Sequence, residues 1–211
     1  MIHSADQLPI QNLVAHSAVS VTELLDRILA VPRDSESRLL NAMRYASLGN
    51  GKRIRPFLAV ESGRLFDVPE SQLLRSAAAI ELIHCYSLIH DDLPAMDNDD
   101  MRRGKPSCHI KFDEATAILA GDALQAIAYE VLADPGTHPN SDVRTALIKG
   151  LAEASGSRGM VEGQMIDLLS EHNLIDVSTL TKMQRLKTGA LISFSCESAA
   201  IIGGASDDAK N

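Results

Sequence analysis

At 211 residues with 45% apolar content, the chain has the length of one domain or one large helical bundle and can bury a sizeable core. A formal net charge of -8 argues against nucleic acid as a partner, because a phosphate backbone needs a basic surface, although local basic clusters can still hold small phosphate-bearing molecules. Aromatics at 3%, no Trp and few alternating stretches disfavour a sheet, leaving Ala, Leu and Ile to fill closely packed helices, so the chain reads as all-α.

Residues 1–17 are weakly patterned. Val19 to Ala30 reads as a helix stopped by Pro32, and Ser35 or Ser37 can cap the next one, with Leu39, Leu40, Met43 and Ala46 inward and Gly49 and Gly51 at its end. Phe57 to Leu65 is helical. Residues 70–93 give a long helix, apolar on nearly every face, disrupted by Pro94. Residues 113–133 are apolar almost all round, which predicts a central place in the bundle and a buried, hydrogen-bonded Asp122. A loop at 134–142 follows. Then comes a helix over 143–169 with small residues at Ala154, Gly156, Gly159 and Gly163, and a last helix over 178–203. The best apolar run, Ala115 to Ala128, carries Asp122 and falls short of the ~20 residues a membrane span needs. The N-terminus has no basic region followed by an apolar stretch, and Cys85, Cys108 and Cys196 lack metal-ligand spacing. The expectation is a reducing, cytoplasmic compartment.

The segment His90-Asp91-Asp92-Leu93-Pro94-Ala95-Met96-Asp97-Asn98-Asp99-Asp100 places five carboxylates within ten residues. A solvated acidic turn is the ordinary reading of such a run. Its position, ending the apolar helix Ala77 to Leu88, favours another. Asp91 and Asp97 are six apart, about 600° of rotation at ~100° per residue, so a regular helix separates them; the bend at Pro94 can fold Asp97 back. Carboxylates converging at a helix end suit magnesium, which takes one or two of them plus phosphate oxygens and water. Arg102-Arg103-Gly104-Lys105 follows directly, and Gly51-Lys52-Arg53-Ile54-Arg55-Pro56 gives a second basic cluster. Acids and guanidinium groups side by side fit a diphosphate held through metal on one side and directly on the other. Taken alone, the second cluster also reads as a charged turn. His84 lies seven residues before Asp91, two turns away on nearly the same face; a lone His there is otherwise a core residue, as His90 is read to be.

Read in order, GKRIRP, ELIHCYSLIHDDLPAMDNDDMRRGKPSCH, AILAGDAL, GQMIDL and LKTGALI resemble the trans-polyprenyl diphosphate synthases, from about residue 40 to 204. The resemblance implies the all-α isoprenoid synthase fold around a central apolar cavity, and a homodimer. It also implies two or three magnesium ions in the complete family site, and condensation of isopentenyl diphosphate with an allylic diphosphate. By that resemblance Asp91, Asp92 and Asp97 bind metal, and these with Arg102 and Lys187 are catalytic. Arg102, Lys187 and Thr188 touch the allylic diphosphate. Gly51, Lys52, Arg55, His84 and Arg103 form the isopentenyl diphosphate site, and Gln164 and Asp167 face the metals. Terpene cyclases share the fold, but the set Lys52, Arg55 and His84 and the scarcity of aromatics tell against cyclisation.

In this family a bulky side chain five residues before the first Asp blocks the growing tail. Tyr86 holds that position, Ser87 follows, and Pro94-Ala95 is the two-residue insertion of the bacterial farnesyl type. That implies a fifteen-carbon product, with geranylgeranyl diphosphate as the alternative. Members also carry a second aspartate-rich motif beyond the Lys-Thr pair. Here Asp207 and Asp208 lie in a polar tail without the rest of it. The chain therefore reads as a single synthase domain over 1–211, incomplete at the C-terminus, with apolar helix faces left exposed and little or no activity alone. A truncated synthase, a short non-catalytic partner of a full-length synthase, and a diphosphate-binding protein without turnover remain open.

Overall fold

A computed structural model describes residues 9–32, 36–171 and 173–206; Ser35, Asp207 and Asp208 lie outside them. The first helix, α1 (Ile10–Ile28), starts nine residues before Val19. Its inward positions are Ser17, Val21 and Leu25. That four-residue spacing begins with a serine, which hides the face from a hydrophobicity reading. Ser37 caps α2 (Arg38–Ser47), its side chain accepting from the Leu40 amide at 3.2 Å. Ala42 and Met43 are buried there and Leu40 and Ala46 pack on the core, whereas Leu39 is exposed, against expectation. Next come α3 (Ile54–Gly63), a short 3₁₀ turn (Arg64–Phe66) and α4 (Glu70–Asp91).

The centre of the bundle is α4. Ala77, Ala78, Ala79, Ile80, Leu82 and Ile83 are fully buried, so consecutive residues on every face are enclosed. Beyond it a hairpin pairs β1 (Met101–Arg102) with β2 (Lys105–Pro106), Arg102 opposite Lys105. Its two-residue turn has Arg103 at φ 53° and Gly104 at φ 77°, the signs a tight hairpin needs. A short α5 (Cys108–Lys111) leads into α6 (Glu114–Ala133).

Contrary to the sequence reading, α6 is not central. It packs α4 and α2 through Ala117, Ala120, Leu124 and Ala128 and leaves Ile118, Leu119, Asp122 and Ala126 outward. Asp122 is thus exposed and needs no buried partner. By length and composition alone α6 is apolar enough to cross a membrane, though one face of it is buried in the bundle. The predicted helix over 143–169 is two helices, α7 (Ser141–Ser155) and α8 (Met160–Ser170). Gly156 takes extended backbone and Gly159 an irregular conformation between them, the break that glycine permits. Then α9 (Val177–Gln184) runs through a π-turn at Arg185–Gly189 into α10 (Ala190–Ile202).

Phe194 of α10 is the largest fully enclosed side chain. It fits because position 150 is glycine, whose Cβ would fall 2.5 Å from the Phe194 ring. Phe194→Ala is expected to lower stability by about 3–5 kcal/mol, read from urea denaturation, since the ring's space cannot be refilled by so tight a neighbour.

Candidate active site

Pro94 acts as the sequence predicts. Past the end of α4 the chain turns back, and the Asp97 amide donates to the Asp91 carbonyl at 2.9 Å. Asn98, at φ 51°, completes the reversal with a residue type that tolerates the left-handed region. The turn brings the Asp97 carboxylate beside that of Asp91. Asp92, one residue round the helix, points elsewhere. It is 2% exposed and accepts from Arg102 through both oxygens, Nε lying 2.9 Å from Oδ1. Arg102 also reaches Asp99 at 3.4 Å. The hydrogen bonds from Arg102 to Asp92 keep the guanidinium above its usual range.

Asp91 faces a cleft of about 580 Å³. The cleft gathers Arg55, His84, Tyr86, Ser87, Asp91, Gln164, Lys187 and Thr188, all predicted from sequence. Its apolar walls are Leu93 and Met96 from the turn and Met160, Val161, Met165 and Leu168 from α8. Sequence reasoning assigned no role to these α8 residues; the recurrence of the Met160-Val161 pair, Met165 and Leu168 every three to five residues along one helix was the available signal.

Lys187 is aimed by two backbone features. It lies in the π-turn, a form that recurs at functional sites. Gly163 packs directly beneath: a Cβ there would fall 2.1 Å from the Lys187 nitrogen. Lys187 Nζ donates to Asp167 Oδ2 at 2.5 Å and lies 4.0 Å from Asp91 Oδ2. Burial works against its charge, but the Asp167 bond and the nearby Asp91 carboxylate hold its pKa above the ordinary value.

Asp91 behaves oppositely. Burial pushes its carboxyl up to about 6; Lys187 opposes the shift and Asp97 adds to it. Its Oδ1 is buried without a hydrogen-bond partner, as is Nε2 of Gln164. Among the described residues no three His, Cys, Asp or Glu side chains could enclose a metal ion by themselves. A hard cation that draws most of its ligands from phosphate and water needs no such cage. Paired carboxylates with a free oxygen fit it.

The second basic cluster is split. Arg55 lines the cleft, and His84 Nε2 lies 3.5 Å from Arg55 Nη1. Burial, then Arg55 and Arg103, push His84 down to about 3, so it is neutral and accepts from Arg55. Lys52 is exposed outside the cleft. Arg103 lies across Gly51, where a Cβ would fall 2.5 Å from Nη1, and lines a small separate cavity with Arg102 and Asp92. Gly51 is therefore a seat for Arg103. Tyr86 is 6% exposed, its hydroxyl buried without a well-aligned bond, beside Gln125 and edge-on to His90. His90 itself bonds the Ile118 carbonyl at 3.1 Å and ties α4 to α6, a structural position.

The helical bundle thus surrounds a partly apolar cleft with an acidic turn, a lysine and guanidinium groups. Comparison with known proteins places this arrangement in a family. A family model described as polyprenyl synthetase matches residues 36–211. A farnesyl diphosphate synthase of Haemophilus influenzae is 55% identical over 156 residues, 73% of this chain and 52% of that protein. A farnesyl diphosphate synthase of Escherichia coli is 46% identical over 183 residues, 86% of this chain and 61% of that one. The crystal structure of an FPP/GFPP synthase from Zymomonas mobilis superposes with a TM-score of 0.91 at 50% identity, covering 94% of this chain and 73% of that one. The chain belongs to the polyprenyl synthetase family and has the all-α isoprenoid synthase fold. It spans between half and two thirds of the length of these two curated relatives.

The Asp91 shift gives a pH test. Its folded-state pKa, raised to about 6, makes the native chain hold a proton that the unfolded chain releases near 3.8; that contribution to stability is complete below 3.8 and is lost as pH rises through 6. In metal-free buffer, Asp91→Asn should therefore raise the melting temperature at about pH 7.5, raise it by roughly half as much at about pH 5 and leave it nearly unchanged at about pH 3.5, as calorimetry across these pH values will show.

Proposed function

We propose that the chain is a prenyltransferase of the farnesyl diphosphate synthase kind, joining isopentenyl diphosphate to dimethylallyl or geranyl diphosphate. The observation that carries this reading is one cleft lined by Asp91, Gln164, Lys187 and Thr188 together with Arg55 and His84, over apolar walls. The relatives' names support it.

Asp91 and Asp97 are the residues that would hold magnesium. The bound metal would neutralise charge on the departing diphosphate. Asp92 is committed to Arg102, so its role is to hold that guanidinium toward the allylic diphosphate. Lys187 and Thr188 meet the same diphosphate from the far wall, and Asp167 keeps Lys187 charged and in place. As the allylic C–O bond ionises, these fixed cations stabilise the leaving oxygens without reorganising. Arg55 and His84 from the cleft, with Arg103 beside them and Lys52 from outside the cleft, hold isopentenyl diphosphate so that its double bond reaches the allylic carbon; the new C–C bond replaces the broken allylic C–O bond, and the proton then released passes to the departed diphosphate. Leu93, Met96, Met160 and Met165 keep water from the cation. Tyr86, buried in the cleft wall, stops the growing tail at fifteen carbons.

The outward stripe of α6, Ile118 and Leu119 with Asp122 and Ala126, supports a homodimer, because a second copy covers apolar surface that water otherwise meets. Asp122 within that stripe speaks for a protein face over a lipid one.

Calorimetric titration with geranyl diphosphate should show binding that requires magnesium and disappears with EDTA. Binding indifferent to EDTA would count against the assignment of Asp91 and Asp97. With both substrates present, chromatography should identify farnesyl diphosphate as the product. Tyr86→Ala should shift the product to twenty carbons or more, and an unchanged chain length would remove Tyr86 from this role.

A further inference from the structure

Arg53 lies between residues assigned to the diphosphate site yet turns away from it. Its φ of 49° places it in the left-handed region, unusual for a long side chain, and sends the guanidinium inward. Its side chain is 1% exposed and pairs with Glu81 of α4, whose side chain is 2% exposed. The same guanidinium donates to the Ser47 carbonyl at 2.5 Å and the Gly49 carbonyl at 3.1 Å. One side chain thus ties the end of α2, the glycine turn after it and the central helix together.

The consequences reach the cleft along two short paths. Arg55 follows two residues after Arg53, and His84 follows Glu81 by one helical turn. Those two meet at 3.5 Å. On the other side, the turn pinned through Gly49 leads into Gly51, the seat of Arg103. Glu81 also offsets charge. Burial lowers the Arg55 pKa, Glu81 raises it again and Arg103 lowers it. With His84 neutral, Glu81 is a buried anion among cations that otherwise repel one another before a diphosphate arrives.

We propose that Arg53 and Glu81 form a positioning pair, touching no substrate, that preassembles Arg55, His84 and Arg103 around the isopentenyl diphosphate. This rests on the reading of that cluster given above. The pair acts on one of the two diphosphates only. The Asp91–Lys187 side of the cleft is held by its own contacts from the turn, α8 and the π-turn.

The double variant Arg53→Met/Glu81→Met tests the idea, because apolar residues of similar volume often replace a buried ion pair without loss of stability. Arg53→Lys is the companion, keeping charge while losing the fork that reaches three acceptors at once. Binding of isopentenyl diphosphate and, separately, of geranyl diphosphate with magnesium is measured by calorimetry on variants whose circular dichroism matches the unmodified chain. Isopentenyl diphosphate should bind at least ten-fold more weakly to the folded variants, Arg53→Lys being sufficient if the double variant does not fold. Geranyl diphosphate should stay within two-fold. Unchanged isopentenyl diphosphate affinity in a folded variant, or an equal loss for both ligands, overturns the proposal and leaves the pair a core feature. If neither variant folds, the pair's role is structural and the proposal likewise fails. Failure of the unmodified chain to bind isopentenyl diphosphate would instead overturn the reading of the cluster itself.

Discussion

Carboxylates at the end of an apolar helix and along the cleft repel one another, and the bundle resolves this by pairing most of the buried acids with cations. Arg102 takes Asp92, Lys187 takes Asp167 and approaches Asp91, and Arg53 takes Glu81. These ion pairs set the direction of each acid. Asp91 and Asp92 are neighbours in sequence, about 100° apart on a helix, and end on different sides of the chain because one is captured and the other is not. What remains in the cleft is Asp91 with a free buried oxygen beside Asp97. That is an incomplete electrostatic balance, and an added cation completes it.

The positions of the cations depend in turn on residues with no side chain. Lys187 rests on Gly163 and Arg103 on Gly51, each so close that a methyl group would displace it. A bundle with 3% aromatics and many small residues lets backbones approach, and here that closeness sets where charge is delivered. The π-turn contributes in the same way. The extra residue it accommodates rotates the helix face locally, so Lys187 and Thr188 both line the cleft while α9 and α10 continue on either side.

Much of this was legible in the sequence. The long helix ending at the acids, the return at Pro94 and a cap at Ser35 or Ser37 follow from local chemistry, whereas the set of residues lining the cleft came from the family resemblance. The misplacement of α6 arises because periodicity reports how apolar a helix is and not what surrounds it. Both α4 and α6 are apolar on most faces, yet only α4 is enclosed; α6 keeps an open stripe, and Asp122 sits on it. The break between α7 and α8 was hidden because Gly156 and Gly159 serve helix packing and helix termination equally well. The commitment of Asp92 could not be read, since it depends on which way a hairpin ten residues later presents Arg102. Glu81 was readable in principle. A lone acid inside the apolar run Ala77 to Leu88 requires a buried cation, and Arg53 was the residue of its cluster left without a role.

On the function proposed here, two diphosphates with the same head group would share one cleft, a selectivity problem that the cleft would solve with opposite electrostatics. The Asp91–Asp97 side is net acidic and attracts a diphosphate only once metal has arrived. The Arg55–Arg103 side is cationic by itself and kept so by a histidine too buried to charge and by an ion pair that points away. An ester that must ionise belongs on the side where its departing charge can be neutralised by metal and Lys187 together. An ester that must stay intact belongs where guanidinium groups grip it without adding a Lewis acid. The same head group is thereby sorted by what is to happen to its C–O bond, and the sorting is built into which acids the protein leaves unpaired.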